Sequence, residues 1–248
     1  IQATWAINLS PYCRRAYLCD LVSGAKTHSL HGHLGPVNVV AWANRDFFLA
    51  TGGVDGTLRM WDIRKTQSCL AILSQDQEPR IRKRNREQRD FETNSDNMPI
   101  AHLGGVSAIC FSPSGRHMLS SGADTKLCSW NPSSFEREIV NYGTFPQSHS
   151  RAYKRVQIAV SWHANIVYHP RRQDIIACDI ITGQRIACLS AHLDTVKCCV
   201  TQPRGETLFS GGKDSNILIW TPPAVGFGPD TQEDPEGAAG EDNWSDED

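Results

Sequence analysis

One spacing, repeated three times, constrains this chain more than anything else in it. His33 precedes Asp55 by 22 positions and Trp61 follows Asp55 by six; the same intervals separate His102, Asp124 and Trp130, and again His192, Asp214 and Trp220. With nine His and seven Trp in 248 residues, a given Asp carries both at those offsets by chance roughly one time in a thousand, so three instances are an internal repeat. A hydroxyl stands four positions before each Asp, at Thr51, Ser120 and Ser210.

Each copy reads as short strands. In the first, Val37 to Trp42, Phe47 to Gly52 and Thr57 to Trp61 are rich in β-branched and aromatic residues and are separated by turn residues; Cys69 to Leu73 follows as a fourth strand. That pattern predicts an all-β chain with one small antiparallel sheet per repeat. A buried imidazole has two ring nitrogens to satisfy, and a carboxylate and a hydroxyl do so while the indole N–H finds its own acceptor. The quartets His33, Thr51, Asp55, Trp61; His102, Ser120, Asp124, Trp130; and His192, Ser210, Asp214, Trp220 are therefore expected to pin turns and strands together. Nucleophilic triads use the same residue types, but a site needed once is not copied three times at fixed spacing. With no nucleophile elbow, phosphate loop or zinc spacing in the sequence, the expectation is a non-enzyme with no metal and no cofactor.

These units resemble WD40 repeats. The first closes on Trp61-Asp62 and the others more loosely, on Trp130-Asn131 and Trp220-Thr221. The resemblance implies a WD40 β-propeller, here an incomplete set of about four and a half four-stranded blades, short of the roughly seven usual in the family. Residues 1–13 show no placeable repeat, 14–225 read as the partial propeller, 74–99 as a polar basic insert, and 226–248 as an acidic disordered tail. Arg14 to Asp20 and Lys26 to Leu30 look like the last two strands of a first blade, so the chain is expected to open partway through it, as an N-terminally truncated form would. Between Trp130 and His192 there is room for a unit without a quartet, with strands near 157–162, 165–169, 175–179 and 185–189, and such a blade is expected to be less rigid. Pro222 and Pro223 cannot donate to a ladder, which leaves the last blade without a fourth strand; the open stack of edges predicts poor solubility in isolation.

Charge and cysteine usage narrow the setting. Residues 226–248 hold nine acidic residues and no Lys or Arg, so a chain of net charge −2 has a basic body. The insert carries Arg80, Arg82, Lys83, Arg84, Arg86 and Arg89, which reads as a solvated loop or as a nuclear-import or nucleic-acid patch. Nine scattered cysteines with no Cys-x-x-Cys favour reduced, packed thiols in a cytosolic or nuclear compartment. No apolar run reaches membrane-spanning length, and no membrane partner is expected.

A narrower resemblance rests on Leu18-Cys19-Asp20-Leu21, Leu49-Ala50-Thr51-Gly52-Gly53, Trp61-Asp62-Ile63-Arg64, Val140-Asn141-Tyr142-Gly143, Val196-Lys197-Cys198-Cys199-Val200, Asn216-Ile217-Leu218-Ile219-Trp220 and the tail Asp242 to Asp248. Together these are similar to the Cockayne syndrome group A family. That resemblance implies a nuclear substrate receptor of a cullin-4 RING ubiquitin ligase, held by the damaged-DNA-binding protein 1 adaptor and working with transcription-coupled nucleotide excision repair factors at stalled RNA polymerase II. It places adaptor contacts on the Trp-Asp-x-Arg pattern, at Trp61, Asp62 and Arg64, where the guanidinium fork is expected to meet an acceptor across an interface. It also implies a helical N-terminal adaptor clamp, expected to be missing from this chain, so weakened or absent adaptor binding is expected. The residues themselves leave a second reading open: direct nucleic-acid or chromatin binding by the basic body, with the acidic tail as internal competitor and no ligase role. Ser245, followed by Asp-Glu-Asp, reads either as a site for an acid-directed kinase or as an ordinary tail serine.

Overall fold

The computed structural model describes residues 13–43, 47–65, 69–75, 99–145, 155–163 and 165–222, and the backbone of 5–9 and 80–81. The basic run at 82–90, the acidic tail and Ser245 lie outside the described residues. Among those described, every regular element is a strand.

Among the described residues nineteen strands form five antiparallel sheets. The first is β1 (Trp5–Leu9), β2 (Ala16–Asp20) and β3 (Lys26–Leu30). The second is β4 (Val37–Trp42), β5 (Phe48–Gly53), β6 (Leu58–Asp62), β7 (Cys69–Leu73) and β8 (Arg80–Ile81). The third holds β9 (Val106–Phe111), β10 (Met118–Gly122), β11 (Leu127–Trp130) and β12 (Arg137–Glu138). The fourth holds β13 (Ala159–Val160), β14 (Ile166–Arg171), β15 (Asp174–Asp179) and β16 (Arg185–Ser190), and the fifth β17 (Val196–Thr201), β18 (Leu208–Gly212) and β19 (Ile217–Trp220). In each sheet the strands pair in chain order, the meander of a propeller blade, and the fold is an incomplete β-propeller.

Two elements depart from the sequence reading. The stretch expected to be unplaced contains β1, which pairs with β2 from Trp5↔Asp20 to Leu9↔Ala16; its alternating Trp-Ala-Ile-Asn-Leu composition is what a strand requires. Among the described residues the first blade therefore has three strands, one more than expected. The basic insert, read as loop, supplies β8, whose Arg80 and Ile81 pair with Ile72 and Ala71. The outer edge of β7 offers free N–H and C=O groups, and any extended backbone alongside satisfies them.

The core lies between the blades rather than within them. Alternate residues of a strand face opposite neighbours, so Met60 and Leu58 pack against Val106, Phe111, Met118 and Trp130 of the third blade, while Trp61 packs the other way, with Ala16, Leu18 and Leu30 of the first. Further clusters join Leu119 and Leu127 to Ile158, Val167 and Ile176, and Ile175 to Val196, Cys199 and Leu208. Burying each such side chain contributes roughly 1.5–3 kcal/mol. Because both faces of a middle blade are covered, β6 and β10 are buried along their whole lengths. Among the described residues the fifth blade is covered on one face only. Val200, Phe209 and Ile219 stand in one row of the register, and with Ile217 they remain exposed.

Hydrogen bonds also cross from blade to blade. Asn38 Nδ2 donates to Val106 O at 3.0 Å, Gln157 N donates to Lys197 O at 3.0 Å, and Thr201 Oγ1 donates to Val160 O at 2.8 Å. The fourth blade lacks a quartet but has its own fastening: His169, fully buried on β14, lies with Nε2 2.8 Å from Ser121 Oγ of the third blade and with its ring 4.4 Å from that of Phe145. Six consecutive pairs join β14 to β15. Gly56 makes the tightest crossing. Its φ is +73°, its carbonyl accepts the N–H groups of Ala101 and His102, and a Cβ at that position would lie 2.4 Å from His102 O.

Gly56→Ala therefore meets both a left-handed backbone and a neighbouring carbonyl, and urea unfolding should show a loss of at least about 2 kcal/mol. Burial also holds the His169 imidazole well below its ordinary value, at about 4. The unfolded chain then takes up a proton first as pH falls, so the stability from the neutral buried ring is complete above pH ~6.5 and drains by about 3 kcal/mol as pH falls through about 4. His169→Phe should flatten that part of a pH–stability profile.

Candidate functional site

The three quartets sit at one end of their blades, where the segment entering a blade meets the turn between its second and third strands. In the second blade His33 Nδ1 lies 3.2 Å from each oxygen of Asp55, and His33 Nε2 lies 2.8 Å from Thr51 Oγ1. Trp61 Nε1 donates to the same Thr51 hydroxyl at 2.8 Å. In the third blade His102 Nδ1 is 2.9 Å from Asp124, and Ser120 Oγ is 2.8 Å from both His102 Nε2 and Trp130 Nε1. The fifth blade repeats this with His192, Asp214, Ser210 and Trp220, every contact at 2.8 Å. One proton arrangement satisfies all of it: the indole N–H donates to the hydroxyl oxygen, the hydroxyl proton goes to Nε2, and Nδ1–H donates to the carboxylate. Each carboxylate also accepts a backbone N–H, from Leu34, Leu103 or Leu193.

The geometry is that of a buried hydrogen-bonded relay. Thr51 and Ser120 are fully buried, and each hydroxyl oxygen already accepts an indole N–H. An alcohol so buried has no open side from which a substrate reaches it. Burial pushes the Asp55 carboxyl upward, but the hydrogen bonds from His33 and Thr57 outweigh it and hold the group far below the ordinary carboxylate range. Asp214 is likewise held down, at about 2, where the His192 and backbone hydrogen bonds overcome burial. Burial is the largest influence on His33 and lowers its value, favouring the neutral ring that the relay requires.

Sequence reasoning missed a fifth member. Gly53, Gly122 and Gly212 stand two positions before the three Asp residues, and a Cβ on them would lie 2.4, 2.7 and 2.5 Å from a carboxylate oxygen and within 2.8 Å of the imidazole Nδ1. The signal was available, as Gly at the same offset in all three copies.

At the opposite end of the blades, the turns after the third strands hold the Trp-Asp-x-Arg residues. Trp61 and Asp62 are buried, so neither presents a surface to a partner, and Arg64 alone is open, with its side chain 54 % exposed. The fork does not point freely outward as the sequence reading has it. Arg64 Nε and Nη2 donate to Asp62 Oδ1 and Oδ2, both at 2.9 Å, and Arg64 N donates to Oδ1 at 3.0 Å. The guanidinium carbon also lies 4.9 Å from the ring centre of Phe47 and 5.5 Å from that of Phe48. The Arg64 hydrogen bond holds the Asp62 carboxyl below its usual range. Asp62 thus occupies one edge of the fork and fixes its plane, leaving the remaining N–H groups free of Asp62. Among the described residues no group of three or more His, Cys, Asp or Glu is placed to hold a metal ion.

Three segments, 24–62, 97–131 and 183–221, match the WD domain, G-beta repeat family, in keeping with the propeller-like sheets. It is 26 % identical to the WD repeat-containing protein ATCSA-1 of Arabidopsis thaliana over 92 % of its own length and 62 % of that relative's. It is 25 % identical to Protein FIZZY-RELATED 3 of Arabidopsis thaliana and 22 % identical to human Striatin-4, over 77 % and 78 % of this chain but 34 % and 30 % of those proteins. The chain thus spans about three fifths of the first relative and about a third of the other two.

Ser120→Ala would strand two buried groups, the Trp130 N–H and the His102 Nε2 lone pair, and should destabilise by about 2–4 kcal/mol in denaturant titration. Ser210→Ala, in an end blade whose Trp220 is only half-buried, should cost less.

Proposed function

We propose that this incomplete WD40 propeller is a non-catalytic receptor or scaffold subunit that works by docking. In its sharper form the reading is a nuclear substrate receptor of a cullin-4 RING ubiquitin ligase, bound to the damaged-DNA-binding protein 1 adaptor and acting in transcription-coupled nucleotide excision repair. The observation that carries it is Arg64: a solvent-exposed guanidinium set flat by Asp62 and flanked by Phe47 and Phe48 at the end of a blade. An exposed salt bridge adds little to stability, so so much support around one exposed cation is better explained by recognition of an acceptor on another protein. The resemblance of the Trp-Asp-x-Arg segment to substrate receptors, and the alignment with ATCSA-1 along nearly all of this chain, support the same reading.

A second reading has one observation in its favour. Arg155 and Lys197 line a cavity of about 590 Å³ against the inner strands β4 and β9, a position from which basic side chains attract a polyanion. That reading requires an affinity for DNA that falls steeply with salt.

In the intact protein Arg64→Ala should weaken capture of purified damaged-DNA-binding protein 1 about tenfold, the scale of an interfacial arginine, with the β-sheet circular dichroism spectrum retained. Arg64→Lys should not restore binding, because an ammonium cannot keep the two-point grip on Asp62. Equal affinities for wild type and variant would remove Arg64 from the interface.

A further inference from the structure

The turn after β2 of the first blade and the turns after the third strands of blades three and four share one backbone. The N–H of Gly24, Phe135 and Gly183 donates to the carbonyl of Asp20, Asn131 and Asp179 at 2.8, 2.8 and 3.0 Å, and φ at the three donors is +68°, +63° and +74°. Glycine adopts that conformation without strain, whereas a phenylalanine there costs on the order of 1–3 kcal/mol. The third blade nonetheless places Phe135 where blades one and four use glycine.

What the ring gains is a place in the wall of a pocket between blades two and three. Phe48, Met60, Phe111, Pro132 and Phe135 line an apolar cavity of about 190 Å³. Had the ring been retained for packing alone, it would be expected to close this gap, since protein interiors leave few voids larger than a water molecule. The size defines the occupant. An apolar cavity of about 150 Å³ takes benzene, and drug-sized ligands or cofactors need about 300–1,000 Å³, so this pocket fits one phenyl- or leucine-sized group. Its wall is shared with the docking site: Phe48, which lines the pocket, also flanks Arg64.

We propose that this pocket is an anchor site for a single aromatic or leucine side chain of a docking protein, seated beside an acidic group that meets Arg64. The inference rests on reading this end of the blades as a docking face, and it adds the chemistry of the partner: an acidic residue next to a large apolar one. Arg64 supplies orientation and the pocket supplies desolvated contact area, the division found at interfaces where a buried anchor carries most of the energy.

The chain has three methionines, so the Met60 methyl is an accessible reporter inside the pocket. With methyl-labelled protein, the probe is the capped dipeptide acetyl-Asp-Phe-amide, with acetyl-Asp-Ala-amide as control. The Phe dipeptide should shift the Met60 methyl saturably and the Ala dipeptide should not. Phe135→Gly, which relieves the backbone strain while deleting the ring, should abolish the shift. So should Ser133→Trp, a change at an exposed rim residue that covers the pocket without touching the core. Arg64→Ala should weaken the response several-fold without removing it. Absence of a saturable Met60 shift in the wild type, or a shift that survives both pocket variants, overturns the proposal. The two readings fail separately: Arg64-dependent adaptor capture with a silent Met60 sinks the pocket alone, and a responsive Met60 with Arg64-independent capture sinks the adaptor reading alone.

Discussion

The hydroxyl at the centre of each quartet is the group on which the blade depends. A serine or threonine oxygen has one proton to give and lone pairs to receive, and in all three copies the indole N–H takes the receiving side while the imidazole takes the giving side. That choice fixes the tautomer of the histidine, since only Nδ1 is left to donate, and so fixes that the third partner must be an acceptor. It also explains the rigid intervals in the sequence. The His–Asp contact ties the segment entering a blade to a turn two strands later, and the Trp reaches back across one strand pair. Adding or removing one residue between them turns every side chain of a strand to the wrong face.

The same relay disarms residues that elsewhere make a nucleophile. In a working triad the alcohol has a free side turned toward a substrate; here an indole occupies that side and the group is sealed between blades. Composition alone leaves both readings open, and the tryptophan six positions beyond the Asp decides between them. Equivalent positions also allow a residue's role to be read by comparison within one chain. Gly56, Thr125 and Ser215 all follow the Asp and all have left-handed φ, so conformation alone does not demand glycine there; the close carbonyl of His102 makes it necessary at Gly56.

Most of the architecture was legible because it is written in side chains at fixed spacing. The quartets and the four-strand rhythm both leave composition signals. What stayed hidden depends on backbone or on rotamers. β8 forms when two residues of a basic run pair with a free edge, and backbone pairing leaves no mark on the sequence. β1 had the alternation of a strand but no quartet to frame it. That Arg64 folds back onto Asp62 is a matter of side-chain torsions, which the pattern Trp-Asp-x-Arg does not specify. Phe135 was recoverable in principle, by aligning Asp20-to-Gly24 and Asp179-to-Gly183 with Asn131-to-Phe135. Its left-handed φ and the pocket beside it required the fold.

The two ends of the blades are built on different economies. At the quartet end the same residues recur because each blade must satisfy the same buried groups, and little freedom remains. At the other end the requirement is smaller: one side-chain oxygen must accept the N–H two residues on. Asp20 does this for Val22, Asp62 for Arg64, Asn131 for Ser133 and Asp179 for Ile181, a local turn that Asp and Asn make equally well. This is why Trp130-Asn131 closes its blade as securely as Trp61-Asp62. Because the turn asks only for that oxygen and a left-handed residue or two, the rest of it is free to differ, and it does, with Arg64 in one blade and Phe135 in the next. Chemical individuality gathers on the face where the fold demands least, and a partner that must tell this propeller from others of the same architecture has most to read there.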